Sequence, residues 1–269
     1  MNNPFDNPVY RLDLRSRVRE RRLWALALFF VSVPAVLWAL FLPQFLKPSP
    51  FGHGPFPDAA ETLSAVALFA HGALLLLLSA LGAAQRISQE RERRTLAALA
   101  NSPMPARSVA LGKLLGAWTF SAWLACLSLP FLAVASLWGG FGAPGLFALW
   151  LLDVAAAFAA ASMALGLSGL FGRSLSAYLA TGAALFLWCA VLPVTGLIAV
   201  GLRDRPGGGM TLAGILCWFH VPLVPQGMAF ADADAPQVAT AVATALVAWT
   251  AMTAAGFALA VRGLRREVC

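Results

Sequence analysis

Long apolar runs separated by short polar segments form the dominant pattern along this chain. Six of these runs reach the length of a bilayer-spanning helix, at about residues 23–46, 63–84, 114–138, 145–171, 175–202 and 238–261. At 1.5 Å of rise per residue, each exceeds the ~30 Å thickness of the hydrocarbon core. The runs are apolar on every face, which is typical of helices and not of alternating β-strands. The pattern therefore predicts an all-α polytopic membrane protein, with six transmembrane helices in a single transmembrane domain.

Composition agrees with this prediction and excludes an ordinary soluble domain. Only 12% of the 269 residues are charged, whereas soluble domains typically carry about 25%. Hydrophobic residues make up 60% of the chain, and the mean hydropathy is +0.76. Cysteines stand far apart, without metal-binding or redox spacing, at positions 126, 189, 217 and 269. We therefore predict no metal site and no cofactor bound by this chain.

Two further membrane-surface elements are predicted outside the spans. Residues 9–22 have the pattern of an amphipathic interfacial helix, with one apolar and one basic face: Tyr10, Leu14 and Val18 against Arg11, Arg15, Arg19 and Arg22. Asn7-Pro8 is a start signal for this helix. The alternative interpretation of residues 9–22 is a plain basic anchor that precedes the first span.

Residues 203–237 form the largest segment on the opposite side of the membrane. Its apolar stretch Met210–Val224 is short and interrupted by prolines, so we interpret it as a re-entrant or interfacial element.

Basic residues are distributed unevenly between the two sides of the predicted bundle. Sixteen of the 19 lysines and arginines fall in the termini and in the loops after the second and fourth spans. The positive-inside rule places these segments, with both termini, in the cytoplasm, and the chain in the cytoplasmic (inner) membrane. The first apolar run lacks the features of a cleavable signal peptide. Attraction of the basic residues to anionic lipid headgroups accounts for the net charge of +7. A nucleic-acid partner is therefore not required.

The segment 86–113, between the second and third spans, concentrates charge next to a small apolar tip. We expect the second span to continue beyond the membrane as a charged helix in which Glu90 and Arg94 pair at i, i+4. Pro103 and Pro105 would end this element. Leu96 and Leu99 would lie at the tip of a cytoplasmic helical hairpin. A merely solvated loop would not need these two leucines.

At this segment the chain resembles the type-2 ABC transporter permeases. That family has a loop after its second span that reads roughly E-R-E-x-G-T-L-x-x-L-x-x-T-P, followed by Gly-Lys before the third span. The matching residues here are Glu90-Arg91-Glu92, Thr95-Leu96, Leu99, Ser102-Pro103 and Gly112-Lys113. Arg94 stands where the family has glycine, and Ser102 where it has threonine. The basic N-terminal segment and the six-span pattern extend the resemblance over the whole chain.

The resemblance implies a permease subunit, which is one half of a transmembrane pore. A second permease chain, identical or different, would complete the pore, and a cytoplasmic ABC ATPase would dock on the 90–105 loop. The implied docking and coupling residues are Glu90, Glu92, Arg93, Arg94, Thr95, Leu96, Leu99 and Pro103. The chain is not expected to be an enzyme. Because it lacks the phosphate-binding pattern G-x-x-x-x-G-K-[ST], ATP and Mg²⁺ would bind the partner.

Two ionisable residues within the spans are candidates for a substrate path. Asp153 is the only acid well inside a span, and His71 lies in the second span. A helix-pairing role for Asp153 is the first interpretation, ahead of contact with a cationic substrate group and of exposure near the outer mouth. For His71 an interhelical hydrogen bond is favoured over a ligand role.

Exporter function is the leading hypothesis, and two alternatives remain open at this point. The chain could be an ABC-associated membrane subunit for the assembly or maturation of a surface protein. It could also be a secondary carrier or a membrane enzyme, although it shows no internal repeat and few charges near the midplane.

Overall fold

The computed structural model describes residues 6–19, 21–45, 57–95, 104–137, 143–191 and 235–266, all of them helical or in short turns. Its α-helices are α1 (Pro8–Arg19), α2 (Arg21–Phe45), α3 (Pro57–Ala84), α4 (Ser88–Glu92), α5 (Ala106–Leu137), α6 (Ala143–Leu170), α7 (Ser174–Phe186) and α8 (Ala235–Arg265). A π-helical turn, Leu187–Val191, continues α7. The described residues contain no strand, so the all-α prediction is confirmed for this part of the chain.

Four stretches are long and apolar enough to cross a membrane: Ala70–Glu92, Ala106–Phe131, Pro144–Leu170 and Val242–Arg265. They match the predicted second, third, fourth and sixth spans. Shorter apolar stretches correspond to the predicted first and fifth spans: Trp24–Val36 in α2, and Ser174–Cys189 in α7 and the π-helical turn after it. Residues 192–202 of the fifth run, and residues 203–234 with the predicted interfacial element, lie outside the described residues.

Helix α1 begins where the sequence predicts. The Asn7 side chain accepts a hydrogen bond from the Val9 N–H at 3.0 Å and donates one to the Ser108 carbonyl at 2.7 Å. Asn7 therefore caps α1 and at the same time attaches it to the start of α5. Gly112 allows α1 and α5 to approach each other closely, because a Cβ atom on a larger residue at this position would lie only 2.9 Å from the Cβ of Val9.

The inward face of α1 differs from the predicted apolar face. Val9 and Arg17 are buried, with Asp13 between them on the same stripe. This stripe is displaced by one residue from the predicted one, which contains Tyr10 and Leu14. An intrahelical ion pair between Asp13 and Arg17, at 3.0 Å, allows the charged stripe to face the bundle.

The central helix of the bundle is α6, which packs against α3, α5, α7 and α8. Glycines bring α6 and α8 into backbone contact: a Cβ atom on Gly166 would lie 2.6 Å from the Gly256 carbonyl oxygen, and one on Gly169 would lie 3.1 Å from the Ala260 Cα. The small-residue stripe at Ala156, Ala160 and Ala164 is fully buried within the chain. Small residues here allow close helix approach.

The helix directions bring one set of ends together. His71 of α3 contacts Asp153 of α6, and Ser88, which begins α4 further along the chain, contacts Ser168 further along α6. Helix α3 with the α4 that follows it is therefore parallel to α6. The glycine contacts show that α8 is also parallel to α6. Helix α5 is antiparallel to α6, since Trp118 contacts Phe158 while Trp150 contacts Ala125. We call the end where α3, α6 and α8 finish and α5 and α7 begin the basic end, because most of the described arginines lie there.

Candidate functional site: the clamp around α4

Helix α4, at the basic end, finishes in a left-handed turn. The Thr95 N–H donates to the Glu90 carbonyl at 3.0 Å, and the Arg94 N–H donates to the Arg91 carbonyl at 3.1 Å. This pair of bonds defines a Schellman motif, in which the C′ residue takes a left-handed conformation. That residue is Arg94, with a φ of 59°. Arg94 thus occupies a conformation that glycine adopts most easily.

The predicted continuity of α4 with the second span is only partly correct. Helix α3 ends at Ala84, and a turn at 85–87 precedes α4. A buried hydroxyl compensates for the break, because Ser168 Oγ of α6 accepts hydrogen bonds from the Ile87 and Ser88 N–H groups at 3.0 and 3.1 Å. The turn is therefore attached to α6 rather than exposed to water.

Glu90 joins α4 to α5. Its Oε1 atom lies 2.6 Å from Lys113 Nζ, and the Lys113 side chain is only 2% exposed. Lys113 also donates to the carbonyl of Arg86, in the turn after α3, at 3.2 Å. The expected i, i+4 partner of Glu90 was Arg94. The lysine of the Gly112-Lys113 pair takes that place because α5 packs directly beside the turn.

Arg91 and Glu92 join α4 to the two remaining neighbours. Arg91 donates to the carbonyls of Phe171 and Gly169 at 2.6 and 3.2 Å, where α6 ends. Glu92 accepts hydrogen bonds from the Ser174 N–H at 2.8 Å and from its hydroxyl at 2.5 Å, where α7 begins. A cation thus sits at the negative end of one helix dipole, and an anion at the positive end of the next.

These contacts form what we call the α4 clamp, made of Glu90–Lys113, Arg91–Phe171 and Glu92–Ser174. Three consecutive residues of α4 each contact a different one of the helices α5, α6 and α7. Beyond the clamp, Arg93, Arg94 and Thr95 are exposed. The predicted tip residues Leu96, Leu99 and Pro103 lie outside the described residues. The structure thus brings together the charged half of the predicted docking segment and attaches it to the bundle.

The two predicted residues of the substrate path meet inside the bundle. His71 Nδ1 lies 3.2 Å from Asp153 Oδ2, with side-chain exposures of 3% and 1%. Gly72 makes room for the carboxylate, since a Cβ atom there would lie 2.6 Å from Asp153 Oδ1. The Phe30 ring packs edge-on against the imidazole at 5.5 Å. This geometry agrees with the helix-pairing interpretation, because the contact joins α3 to α6.

Two cavities are prominent among the described helices, and neither is lined by His71 or Asp153. One, of about 450 Å³, is apolar and lies between α5, α6 and α8, next to Trp118 and Trp249. The other, of about 500 Å³, is polar and lies at the basic end. Within the described ranges, no group of three or more His, Cys, Asp or Glu side chains is placed to hold a metal ion.

Sequence reasoning did not anticipate Arg91, Ser168 and Ser174 as members of this site. Arg91 stands inside the charged motif and was identifiable as a candidate from that position. Ser168 and Ser174 gave no signal, because a single serine in or beside an apolar helix is common and its partners lie about 80 residues away.

Comparisons with known proteins do not assign the chain to a family. No family model matches the sequence, and no curated protein matches it either. The fold shows an α-helical chain in which four of the described stretches are long and apolar enough to cross a membrane.

Proposed function

We propose that this chain is the permease subunit of an ATP-binding cassette transporter, acting as an exporter. The observation that carries the proposal is the α4 clamp. An element that is to transmit movement from a soluble ATPase must be attached rigidly to the membrane helices. Glu90, Arg91 and Glu92 attach α4 to α5, α6 and α7 respectively. A displacement of α4 would then be transmitted to three helices as a rigid-body movement.

The conformation of Arg94 supports the alignment with the permease motif. In that motif the position after E-R-E-x is glycine, and here the residue at the position has a φ of 59°. A left-handed C′ residue gives a physical reason for glycine at this point. The burial of Lys113 against Glu90 similarly gives a reason for the Gly-Lys pair at the start of the third span.

The proposed assembly contains two permease chains and a cytoplasmic ATPase below them. The basic end would face the cytoplasm with both termini, six spans would cross the inner membrane, and Leu96 and Leu99 would enter a groove of the ATPase. Exposed arginines beside that apolar tip suit an interface with a polar rim around buried anchors. ATP and Mg²⁺ would be bound by the ATPase alone.

Docking is tested by replacing both tip leucines in the full chain. Leu96→Asp/Leu99→Asp adds two negative charges to the tip, so the co-purifying ATPase should fall at least tenfold in mild detergent. Arg15→Glu is the matched control, because it changes the net charge equally on an exposed position of α1. An ATPase that stays stoichiometric on the leucine variant, with the protein still inserted, would contradict the docking assignment.

Transport measurements separate export from the alternative functions. In proteoliposomes that contain the chain and its ATPase, an exporter moves solute only when ATP is supplied on the ATPase side. A subunit for assembly or maturation would bind the ATPase without solute movement. A secondary carrier would move solute without ATP, driven by an ion gradient.

A further inference from the structure

The polar cavity at the basic end is the feature that the clamp leaves unexplained. Its volume is about 500 Å³, and it is lined by residues of six helices. Four of the lining residues are arginines: Arg17, Arg21, Arg86 and Arg93. They come from four different helices or turns, so no single helix pattern in the sequence reveals the cluster.

Within the described residues, the positive charges of the cavity arginines are only partly paired with carboxylates. Asp13 accepts hydrogen bonds from Arg17 Nε at 3.0 Å and from Arg86 at 2.8 Å. In the part of the chain that the structure describes, neither Arg21 nor Arg93 has a carboxylate within ion-pairing distance. Among the described residues, the guanidinium groups of Arg21 and Arg93 thus face the cavity outside any ion pair, which favours an anionic occupant.

The buried members of the cluster are held in fixed positions. The Arg17 side chain is 3% exposed, and its guanidinium carbon lies 5.3 Å from the centre of the Phe120 ring. Arg86 donates to the Gly82 carbonyl at 3.0 Å in addition to Asp13. Guanidinium groups fixed in this way are preorganised for a phosphate oxygen, because little side-chain entropy is lost on binding.

Apolar residues also line the cavity. Leu26 lies about one turn after the start of α2, and Phe120 about four turns after the start of α5. Trp24, between Arg21 and Leu26, is 54% exposed. An exposed tryptophan at the end of an apolar helix is typical of the membrane–water interface. The cavity thus joins a cationic region and an apolar region at the depth of lipid headgroups.

We propose that this cavity binds an anionic phospholipid, with the headgroup phosphate on the arginines and the start of the acyl chains against Leu26 and Phe120. A lipid in this position would contact α1, α2, α3, α5 and the turn beside α4. The site depends on the chain lying in a membrane and is independent of the proposed ATPase partner. Anionic lipid content would then affect how firmly α1 and α2 are held to the clamp.

The test measures lipid retained by the purified full chain in native mass spectrometry. The protein is incorporated in bilayers of phosphatidylcholine with one quarter phosphatidylglycerol and then released in detergent. The test variant is Arg21→Ala/Arg93→Ala, because both side chains are exposed and remain outside the described ion pairs. The matched control is Arg15→Ala/Arg19→Ala, which removes the same charge from exposed positions of α1 outside the cavity.

Wild type and control should retain one phosphatidylglycerol per chain, with a retained phosphatidylcholine as the minor species. The test variant should bind phosphatidylglycerol roughly 30-fold more weakly, since each arginine contributes a factor of about 5 towards an anionic headgroup. Equal retention by all three proteins would overturn the proposal. Displacement of the lipid by millimolar inorganic phosphate would also overturn it, in favour of a site for free phosphate. Helical content measured by circular dichroism confirms that each variant is folded.

Discussion

At the end of α4, Arg94 holds a left-handed conformation that costs a non-glycine residue about 1–2 kcal/mol. The Schellman hydrogen bonds of Thr95 and Arg94 maintain it. A sequence pattern that places glycine here indicates the turn, but the pattern does not show that an arginine adopts the same conformation. The turn is therefore indicated by the family pattern, whereas the left-handed conformation of Arg94 is seen only in the structure.

Replacing Arg94 with glycine should stabilise the end of α4. The substitution removes the strain, and part of the gain is offset because glycine is more flexible in the unfolded chain. We expect a net gain of about 1 kcal/mol, measured as roughly fivefold slower amide hydrogen exchange in a peptide covering residues 85–95. Arg93→Gly is the control, since Arg93 has a right-handed helical conformation (φ −77°) and should exchange faster as glycine. Equal effects of the two substitutions would contradict the assigned turn.

The buried pair His71–Asp153 supports a second prediction at this scale. Asp153→Asn retains a side chain that can hydrogen-bond His71, so neither thermal stability nor transport should change appreciably. Asp153→Ala leaves the imidazole without this partner, and the measured cost of such contacts between membrane helices is about 0.6–1.7 kcal/mol. The readouts are the melting temperature in detergent and transport in proteoliposomes. Loss of transport in Asp153→Asn at an unchanged melting temperature would instead assign the carboxylate to a substrate.

At the scale of the elements, apolar run length predicted the four stretches that are long and apolar enough to cross a membrane, because crossing the hydrocarbon core requires about 20 apolar residues whatever their neighbours. The sequence was less informative about which faces pack. In α1 the inward stripe contains Asp13 and Arg17, neither of which belongs to the predicted apolar face. Their burial depends on Arg86, contributed by the turn after α3 at a separation of 73 residues. No local pattern carries that information.

The attachment of α1 to α5 depends on two glycines one helical turn apart, Gly112 and Gly116. A Cβ atom on Gly116 would overlap the carboxylate of Asp13. Gly116→Ala should therefore destabilise the protein by about 1–3 kcal/mol through overpacking. The measurement is the melting temperature in detergent, accompanied by proteolysis within α1.

A glycine in open space provides the control for this prediction. Gly182 lies in α7, and a Cβ atom added there would have no neighbouring atom within 4 Å. Gly182→Ala should raise stability by up to about 1 kcal/mol, because alanine favours the helix. A loss of stability of similar size in both variants would show that close packing at Gly116 is not the cause.

At the scale of the whole molecule, the directions of the helices limit how the chain crosses the membrane. Helices α6 and α8 are parallel, and both finish at the basic end. Between them the chain must cross an odd number of times. Helix α7 begins at the basic end with Ser174, and the fifth predicted span, of which it is the first part, would supply one crossing. A further crossing by Met210–Val224 would make the number even, so the parallel arrangement favours an interfacial or re-entrant path for that stretch.

Cysteine accessibility tests this path. After the four native cysteines are replaced by serine, Gly208→Cys and Asp232→Cys place single thiols on either side of the stretch. Both should react with a membrane-impermeant maleimide in right-side-out vesicles only. Arg15→Cys and Arg107→Cys, at the basic end, should react in inside-out vesicles only, as the positive-inside rule requires. With the fifth predicted span crossing once, opposite sidedness of positions 208 and 232 would require a seventh crossing, which the parallel packing of α6 and α8 does not accommodate.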